Sequence, residues 1–191
     1  MTVHEPIAKL QAGPYRLRVS DFLLLDQTGA FKNHAKTELL AGEIFYVNAQ
    51  HRPHARTKMA LYDAIKAALT VARSPLSVLV EVSVELGEHD APEPDLTLTS
   101  EPNGEGLVPG RSVALVVEVS DATLTEDLGR KLVMYAIGGV PEYWVADVNG
   151  RVIHRMCSPS GESYARHDKV AFGDSLSSAT IDDLTIDTSS L

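Results

Sequence analysis

The segment that decides the fold is residues 94–144, which read PDLTLTSEPNGEGLVPGRSVALVVEVSDATLTEDLGRKLVMYAIGGVPEYW. A short strand-like run at residues 96–99 is followed by a connection rich in Gly and Pro at residues 101–111. The chain then enters an apolar, Val-rich run at residues 113–119. Such a run between turn residues is typical of a buried strand. The pattern therefore predicts two neighbouring strands joined by a loop.

Each of these two predicted strands carries a carboxylate. Asp95 precedes the first strand, and Glu118 interrupts the apolar run of the second. If the strands pair antiparallel, the start of the first lies beside the end of the second, so Asp95 and Glu118 meet at one edge of the sheet. A carboxylate inside an apolar strand is costly unless it is paired, hydrogen-bonded or bound to a metal. We therefore expect Glu118 to have a partner.

The next element is predicted to supply a cation. Apolar residues recur at helical spacing between residues 128 and 136, and two glycines at residues 138–139 end the helix. Lys131 falls at the flank of the buried face. Residues 142–147 predict a further strand, and the order strand, helix, strand predicts a right-handed parallel crossover. This crossover places Lys131 over the sheet that carries the two carboxylates.

These features resemble the pattern of a known family. Pro94-Asp95, the Val-Glu-Val-Ser run at residues 117–120, Lys131 and the GVPEYW run at residues 139–144 are similar to the Uma-two family. Its members are bacterial proteins assigned as restriction endonucleases of the PD-(D/E)XK nuclease superfamily. The resemblance is dense from about residue 42 to residue 147. It implies an α/β (α+β) fold with a restriction-endonuclease-like core.

The core implied by the resemblance has the order helix-strand-strand-strand-helix-strand. Its mixed central sheet is flanked by helices, with an extra N-terminal hairpin and C-terminal strands. We expect a single domain over residues 1–191. Within it, residues 1–50 form the N-terminal helix and hairpin, residues 53–147 the nuclease-like core, and residues 148–191 the C-terminal strands and tail.

The resemblance also implies metal-dependent hydrolysis of phosphodiester bonds. Asp95 and Glu118 would bind Mg²⁺ or Mn²⁺ through oxygen, and the carbonyl of Val119 is a further candidate ligand. Lys131 would orient the attacking water or stabilise developing charge. The position two after Glu118 is Ser120, where the superfamily pattern has Lys. The resemblance therefore implies that the lysine has moved to the following helix.

Four further residues are candidates for supporting roles. Tyr135, one helical turn beyond Lys131, would hydrogen-bond to it, and Asp127, one turn before, would pair with it. Ser120 belongs to the family's own pattern. In a hairpin predicted over residues 38–47, alternation places Glu43 beside large apolar residues, and the resemblance makes it a candidate member of the acidic metal site; a solvated turn carboxylate is the alternative.

The most basic stretch of the chain is a candidate nucleic-acid contact. It contains Arg52, His54, Arg56 and Lys58 and precedes a predicted helix. Cations at a helix N-terminus oppose the helix dipole, so their presence is easier to understand if a phosphate binds nearby. A solvated basic face explains the same residues equally well.

The other segments give coarser predictions. A short helix capped by Ser20 is expected near the N-terminus, and residues 77–86 alternate as one strand. Asn149-Gly150 predicts a two-residue hairpin turn. Another turn is expected at residues 159–161, and the tail from residue 173 is predicted to be a loose or packing segment.

Composition limits the class of protein. The chain has 191 residues, 44% hydrophobic content and one cysteine, which excludes an intramolecular disulfide and a multi-cysteine zinc site. No run is long and apolar enough to span a membrane, so a cytoplasmic location is expected. The net charge of −9 opposes indiscriminate binding of nucleic acid, so DNA, the expected partner, must contact a local basic patch.

Several readings remain open at the level of sequence. A homodimer is plausible because many nucleases of this superfamily pair two subunits. Glu118 and Lys131 also fit a purely structural ion pair, in which case the chain is a non-catalytic nuclease-fold binding or assembly module. A third reading is a metal hydrolase of a small phosphorylated substrate.

Overall fold

The computed structural model describes residues 13–34, 36–47 and 50–191. The helices are α1 (Val19–Gln27), α2 (Arg52–Val71), α3 (Leu124–Glu126) and α4 (Leu132–Ile137), with a short 3₁₀ turn at Gly110–Ser112. The strands are β1 (Thr37–Leu40), β2 (Glu43–Tyr46), β3 (Ser77–Val80), β4 (Val84–Glu85), β5 (Leu96–Thr99), β6 (Val108–Pro109), β7 (Val113–Ser120), β8 (Glu142–Asp147), β9 (Val152–Ser160), β10 (Ser163–Ala171), β11 (Ser175–Ser177) and β12 (Thr185–Asp187).

A six-stranded mixed sheet forms the centre of the fold, in the order β10-β9-β8-β7-β5-β3. Its β7 and β8 are parallel, and every other neighbouring pair in it is antiparallel. The helical segment between β7 and β8 makes the crossover that the parallel pair requires. The order of α2, β3, β5, β7, helical segment and β8 confirms the predicted core, with the short β4 and β6 inserted in its loops.

Apolar side chains cover both faces of this sheet. On one face, Leu61 and Ile65 of α2 pack with Val117 and Trp144. On the other, Tyr135 of α4 packs with a second set of sheet residues that includes Val116, Tyr143, Val145 and Met156. Burial of alternate residues of β7 on opposite faces explains why its sequence is apolar throughout. Glu118 lies on the face that α4 covers.

The register of β5 and β7 sets the position of the two carboxylates. Leu96 is paired with Val117, and Thr97 with Val116. Continuing this register by one residue places Asp95 beside Glu118, on the same side of the sheet. The predicted antiparallel pairing is therefore confirmed, and it brings together residues from the two sides of a long loop.

The β1–β2 hairpin packs beside this edge of the sheet. Ala41 and Gly42 both have positive φ, 52° and 79°, as a type I′ turn requires. The turn is held from outside the hairpin, since the amide of Ala41 donates to Oδ1 of Asp90. A bridge between Leu39 and Ala91 fixes β1 in place. The predicted hairpin is confirmed.

The helix after β7 is irregular. A π-helical turn, Asp127–Lys131, separates α3 from α4, where a regular α-helix was predicted. A π-helical turn contains about one more residue than an α-helical one, so α3 and α4 are not one continuous regular helix.

The motif GVPEYW contains a buried carboxylate that fastens the C-terminal hairpin. Glu142 is fully buried and accepts hydrogen bonds from the indole of Trp144, from the hydroxyls of Ser178 and Thr180, and from the amides of Ala179 and Thr180. The β11–β12 hairpin carries Leu176 and Ile186 into the core beneath α2. Of the two alternatives expected for the tail, a loose or a packing segment, the structure therefore shows the packing segment, in the form of a hairpin.

Three further predictions were wrong in detail. The strand expected over residues 77–86 is interrupted, because Glu81 has φ of 50° and turns the chain between β3 and β4. Helix α1 begins at Val19, so Ser20 is not its cap. Strand β9 continues through Pro159 and Ser160, and the turn follows at Gly161 with φ of 60°.

Among the described residues, no helix is long and apolar enough to cross a membrane.

Candidate active site

A cleft of about 370 Å³ lies between the β1–β2 hairpin, the start of α2, the end of β7 and the helical segment that follows it. Asp95, Glu118, Val119 and Lys131 all line this cleft. The four residues come from the position before β5, from the end of β7 and from the helical segment that follows β7. The structure therefore brings the predicted catalytic residues together in one place.

Lys131 is the centre of a buried ionic cluster. Its Nζ donates to Oε1 of Glu118 at 2.9 Å and to Oε1 of Glu38 at 3.2 Å. The hydroxyl of Tyr135 donates to the same Glu118 oxygen at 2.8 Å. Glu38 and Glu118 are only 3% and 4% exposed. The expected partner of Glu118 is thus confirmed, and a second carboxylate shares the lysine.

Burial and charge shift the pKa values in this cluster. Burial raises the pKa of Glu118 to about 7, although the positive charge of Lys131 opposes that rise. Burial alone would lower the pKa of Lys131, but the negative charges of Glu118, Glu38 and Asp127 outweigh it and raise that pKa. Lys131 therefore stays a cation at neutral pH. Glu118 is the member of the cluster whose charge changes in that range.

Asp95 is held by a different set of donors. Its Oδ2 accepts the amide of Val119 at 2.8 Å and lies 3.1 Å from Nε2 of His54. Nζ of Lys58 is 3.6 Å from Oδ1. Burial raises the pKa of Asp95, but the hydrogen bond and charge of His54 and the amide of Val119 outweigh it, so the net pKa is lowered. Asp95 is therefore ionised at neutral pH.

The supporting residues do not bond as predicted. Oδ2 of Asp127 accepts the hydroxyl of Thr123 at 2.6 Å, and among the described residues it makes no ion pair with Lys131. Tyr135 donates to Glu118 and not to Lys131. Ser120 is buried, with its hydroxyl 3.4 Å from that of Thr123.

The glutamate of the β1–β2 hairpin that joins the cluster is Glu38, whereas Glu43 was expected. Glu43 is exposed and lies next to the turn, opposite Leu40, while Glu38 lies opposite Phe45 and lines the cleft. Directly opposed residues of a hairpin share a face, so both glutamates are on the same face, but only Glu38 reaches Lys131. The sequence signal for this role of Glu38 was its position directly before the apolar pair Leu39-Leu40.

The basic stretch of α2 divides into two groups. Lys58 and His54 point toward Asp95, and Nζ of Lys58 also donates to Gln50 at 2.7 Å and to Glu81. Lys58 is 6% exposed and its ammonium already contacts these partners, so it does not lie on the surface as the predicted phosphate contact assumed. Arg52 and Arg56 are exposed and line a separate cleft. Of the four basic residues predicted to contact nucleic acid, only Arg52 and Arg56 are exposed on the surface.

The donor set of the cleft suits a hard cation. Among the described residues, Oε2 of Glu118 accepts no hydrogen bond, and Oδ1 of Asp95 has contacts of 3.5 Å or more with Gln50 and Lys58. No group of three or more His, Cys, Asp and Glu side chains within the described ranges is arranged to hold a metal ion. Two carboxylates nevertheless fit Mg²⁺, which commonly keeps several waters and takes oxygens from bound phosphate.

Comparisons with known proteins agree with this fold. The model of the Uma2 family, described as "Putative restriction endonuclease", matches residues 19–189. The chain is also similar to the crystal structure of "a putative nuclease belonging to DUF820 from Anabaena variabilis ATCC 29413", with a TM-score of 0.60 and 16% sequence identity. That similarity covers 83% of this chain and 86% of the other. No curated protein matches the sequence.

Proposed function

Because this chain belongs to the Uma2 family, described as "Putative restriction endonuclease", we propose that it is a metal-dependent endonuclease that hydrolyses phosphodiester bonds of nucleic acid. The observation that supports this most directly is the contact of 2.9 Å between Lys131 and Glu118 in the cleft that Asp95 also lines. Two carboxylates and a cation at one cleft are the groups that hydrolysis of a phosphodiester needs.

In this proposal Asp95 and Glu118 hold Mg²⁺ or Mn²⁺, with the carbonyl of Val119 as a further ligand. The ion, when bound, would polarise a phosphoryl oxygen and lower the pKa of bound water. His54 and the amide of Val119 orient the carboxylate of Asp95, and Tyr135 orients that of Glu118. These donors hold both carboxylates in place before any ligand arrives.

Lys131 has the role of a fixed cation. Since its pKa is raised, it cannot take a proton from water at neutral pH and is not a general base. Its ammonium instead stabilises the negative charge that develops on the phosphoryl group. Both roles expected for this lysine are open to a fixed ammonium, which can donate a hydrogen bond to the attacking water as well as stabilise charge.

The experiment that tests this function is a calorimetric titration of Mg²⁺ and Mn²⁺ into wild type and Glu118→Gln. Glu126→Gln is the matched control, because Glu126 lines the same cleft but pairs with Arg130 at 3.1 Å. We expect saturable binding in wild type and Glu126→Gln and its loss in Glu118→Gln. Metal binding that is equal in all three proteins would contradict the proposed site.

A cleavage assay then separates binding from chemistry. Lys131→Ala should still bind metal but cut labelled DNA or RNA at least about 100-fold more slowly, as expected when a charge-stabilising group is removed. If wild type binds metal and nucleic acid but leaves every strand intact, the chain is a non-catalytic binding module. If it cleaves only small phosphate esters, it is a hydrolase of small phosphorylated molecules.

A further inference from the structure

Two aromatic residues line the cleft that holds the two carboxylates, and they indicate whether the substrate is a single strand or a duplex. Phe45 and Tyr46, at the end of β2, both line the cleft. We propose, on the premise of the nuclease function above, that the cleft takes an unpaired segment of nucleic acid with a base stacked on these aromatic side chains. The substrate would then be a single strand, or the unpaired part of a larger structure.

The depth of the site is the first argument. Asp95 and Glu118 are 3% and 4% exposed, so the phosphodiester must enter the cleft to reach them. The cleft volume of about 370 Å³ is near the lower end of the range of about 300–1,000 Å³ typical of small-ligand pockets. A nucleotide-sized group is of this scale. A paired strand would have to enter together with its complement, and the two together are wider than a nucleotide-sized cleft.

Tyr46 provides the second argument. It is 55% exposed, although it is a large aromatic residue at the rim of a cleft. One face of its ring is stacked on His34, with ring centroids 3.6 Å apart and planes 16° apart. The stack holds the ring in a fixed orientation and leaves it open to a ligand. Base–aromatic stacking of this kind is how proteins bind unpaired strands with little sequence preference.

Phe45 is the second aromatic residue that lines the cleft, and as the neighbour of Tyr46 in β2 it lies on the other face of the strand. It is paired with Glu38 in the hairpin, directly above the ionic cluster. The guanidinium of Arg130 lies 4.5 Å from the centroid of its ring. Arg130 and Lys36 also line the cleft, so positive charge is available for the phosphates that flank a stacked base. Two aromatic residues and two cations therefore line the cleft.

The charge of the whole chain favours the same substrate. A net charge of −9 is unsuited to the extended phosphate contacts that duplex binding uses. Stacking on aromatic rings contributes affinity in addition to the few phosphate contacts that Arg130 and Lys36 can make. Because so few phosphates are contacted, binding of an unpaired strand should depend on salt less steeply than binding through many phosphate contacts would.

Fluorescence anisotropy of labelled oligonucleotides tests the inference. The probes are a DNA strand of about 12 nucleotides, the RNA of the same sequence, and the DNA duplex. They are titrated with wild type, Tyr46→Ala, Tyr46→Phe and Tyr15→Ala. Tyr15 is the control, because it is 74% exposed but does not line the cleft. Thermal melts followed by circular dichroism confirm that each variant is folded.

We expect at least one of the two single strands to bind wild type about tenfold or more tightly than the duplex. Tyr46→Ala should weaken that binding about fivefold or more, while Tyr46→Phe and Tyr15→Ala stay close to wild type. Equal or tighter binding of the duplex, an unchanged affinity in Tyr46→Ala, or no binding of either single strand would overturn the inference.

Strand length after each titration is checked by gel electrophoresis in the presence of Mg²⁺. Tight, Tyr46-dependent binding of a strand that stays intact would contradict the nuclease function but support the inference. Cleavage of the duplex with no preference for single strands would support the nuclease function but contradict the inference. The two proposals can therefore fail separately.

Discussion

Nζ of Lys131 lies 3.2 Å from Oε1 of Glu38, although 93 positions separate the two residues in the chain. The same ammonium contacts Glu118, so one lysine joins the β1–β2 hairpin, the central strand β7 and the helical segment. A buried charge of this kind is stable only while its partners remain in place. The hairpin is therefore part of the electrostatic environment of the site as well as its wall.

Replacing the lysine should destabilise the fold. Lys131→Met leaves Glu38 and Glu118 buried without a cation, and the free energy of unfolding at pH 7 should fall by about 3–5 kcal/mol. Urea denaturation measures the change. Lys66→Met is the control, because Lys66 is exposed on α2. An equal effect of the two substitutions would show that the cluster contributes no net stability.

Removing one carboxylate should partly rescue that loss. In the double variant Lys131→Met with Glu38→Gln, one of the two uncompensated charges is absent. The double variant should be more stable than the sum of the two single changes predicts, by about 1 kcal/mol or more, since the groups are in direct contact. A double-mutant cycle in urea gives this coupling energy, and a value of zero would mean that Glu38 and Lys131 act independently.

Stability should decrease as the pH rises toward neutral. The pKa of Glu118 is raised from 4.5 to about 7, so the folded protein retains a proton in the interval where the unfolded chain has lost it. The free energy of unfolding therefore falls across this interval. Denaturation in EDTA at several values from pH 5 to pH 8 measures the slope. Glu118→Gln should flatten it, and the same slope in both proteins would refute the assignment.

Glu142 should be essential for the C-terminal hairpin. Glu142→Ala leaves the indole of Trp144 and the donors of Ser178, Ala179 and Thr180 without their acceptor, at a cost of about 3 kcal/mol or more. Hydrogen exchange should accelerate in residues 175–187. Glu162→Ala, on the exposed turn after β9, is the control. Unchanged exchange in the hairpin would contradict this role.

Two cations of α2 should behave in opposite ways. Lys58→Met removes the cation beside Asp95 and Glu81 and should lower the free energy of unfolding by about 2 kcal/mol, less than for a fully buried pair because Glu81 is partly exposed. Arg56→Met should leave stability unchanged, because Arg56 is exposed. Thermal melts monitored by circular dichroism test both. If Arg56→Met destabilised the protein more than Lys58→Met, the contacts of Lys58 with Asp95 and Glu81 would contribute no net stability.

The sequence predicted the parts of the site that depend on neighbouring elements. Asp95 and Glu118 follow from the antiparallel pairing of two adjacent strands, and Lys131 from the crossover that joins β7 to β8. Glu38 could not be predicted, because its role depends on how a distant hairpin packs. The burial of Lys58 could not be predicted for the same reason, since charge pattern alone does not show which side of a helix faces a buried aspartate. These residues require tertiary information.

The π-helical turn at Asp127–Lys131 has a consequence for how sequence changes in this region are tolerated. The turn holds about one residue more than a regular helix would, so deleting one residue there would give a regular helix with α3 and α4 still in phase. A deletion within α4 would instead rotate the residues that follow it by about 100° around the axis. The number of residues between β7 and the lysine can therefore differ by one between homologous chains, and the lysine is identified by its contact with the glutamate of β7.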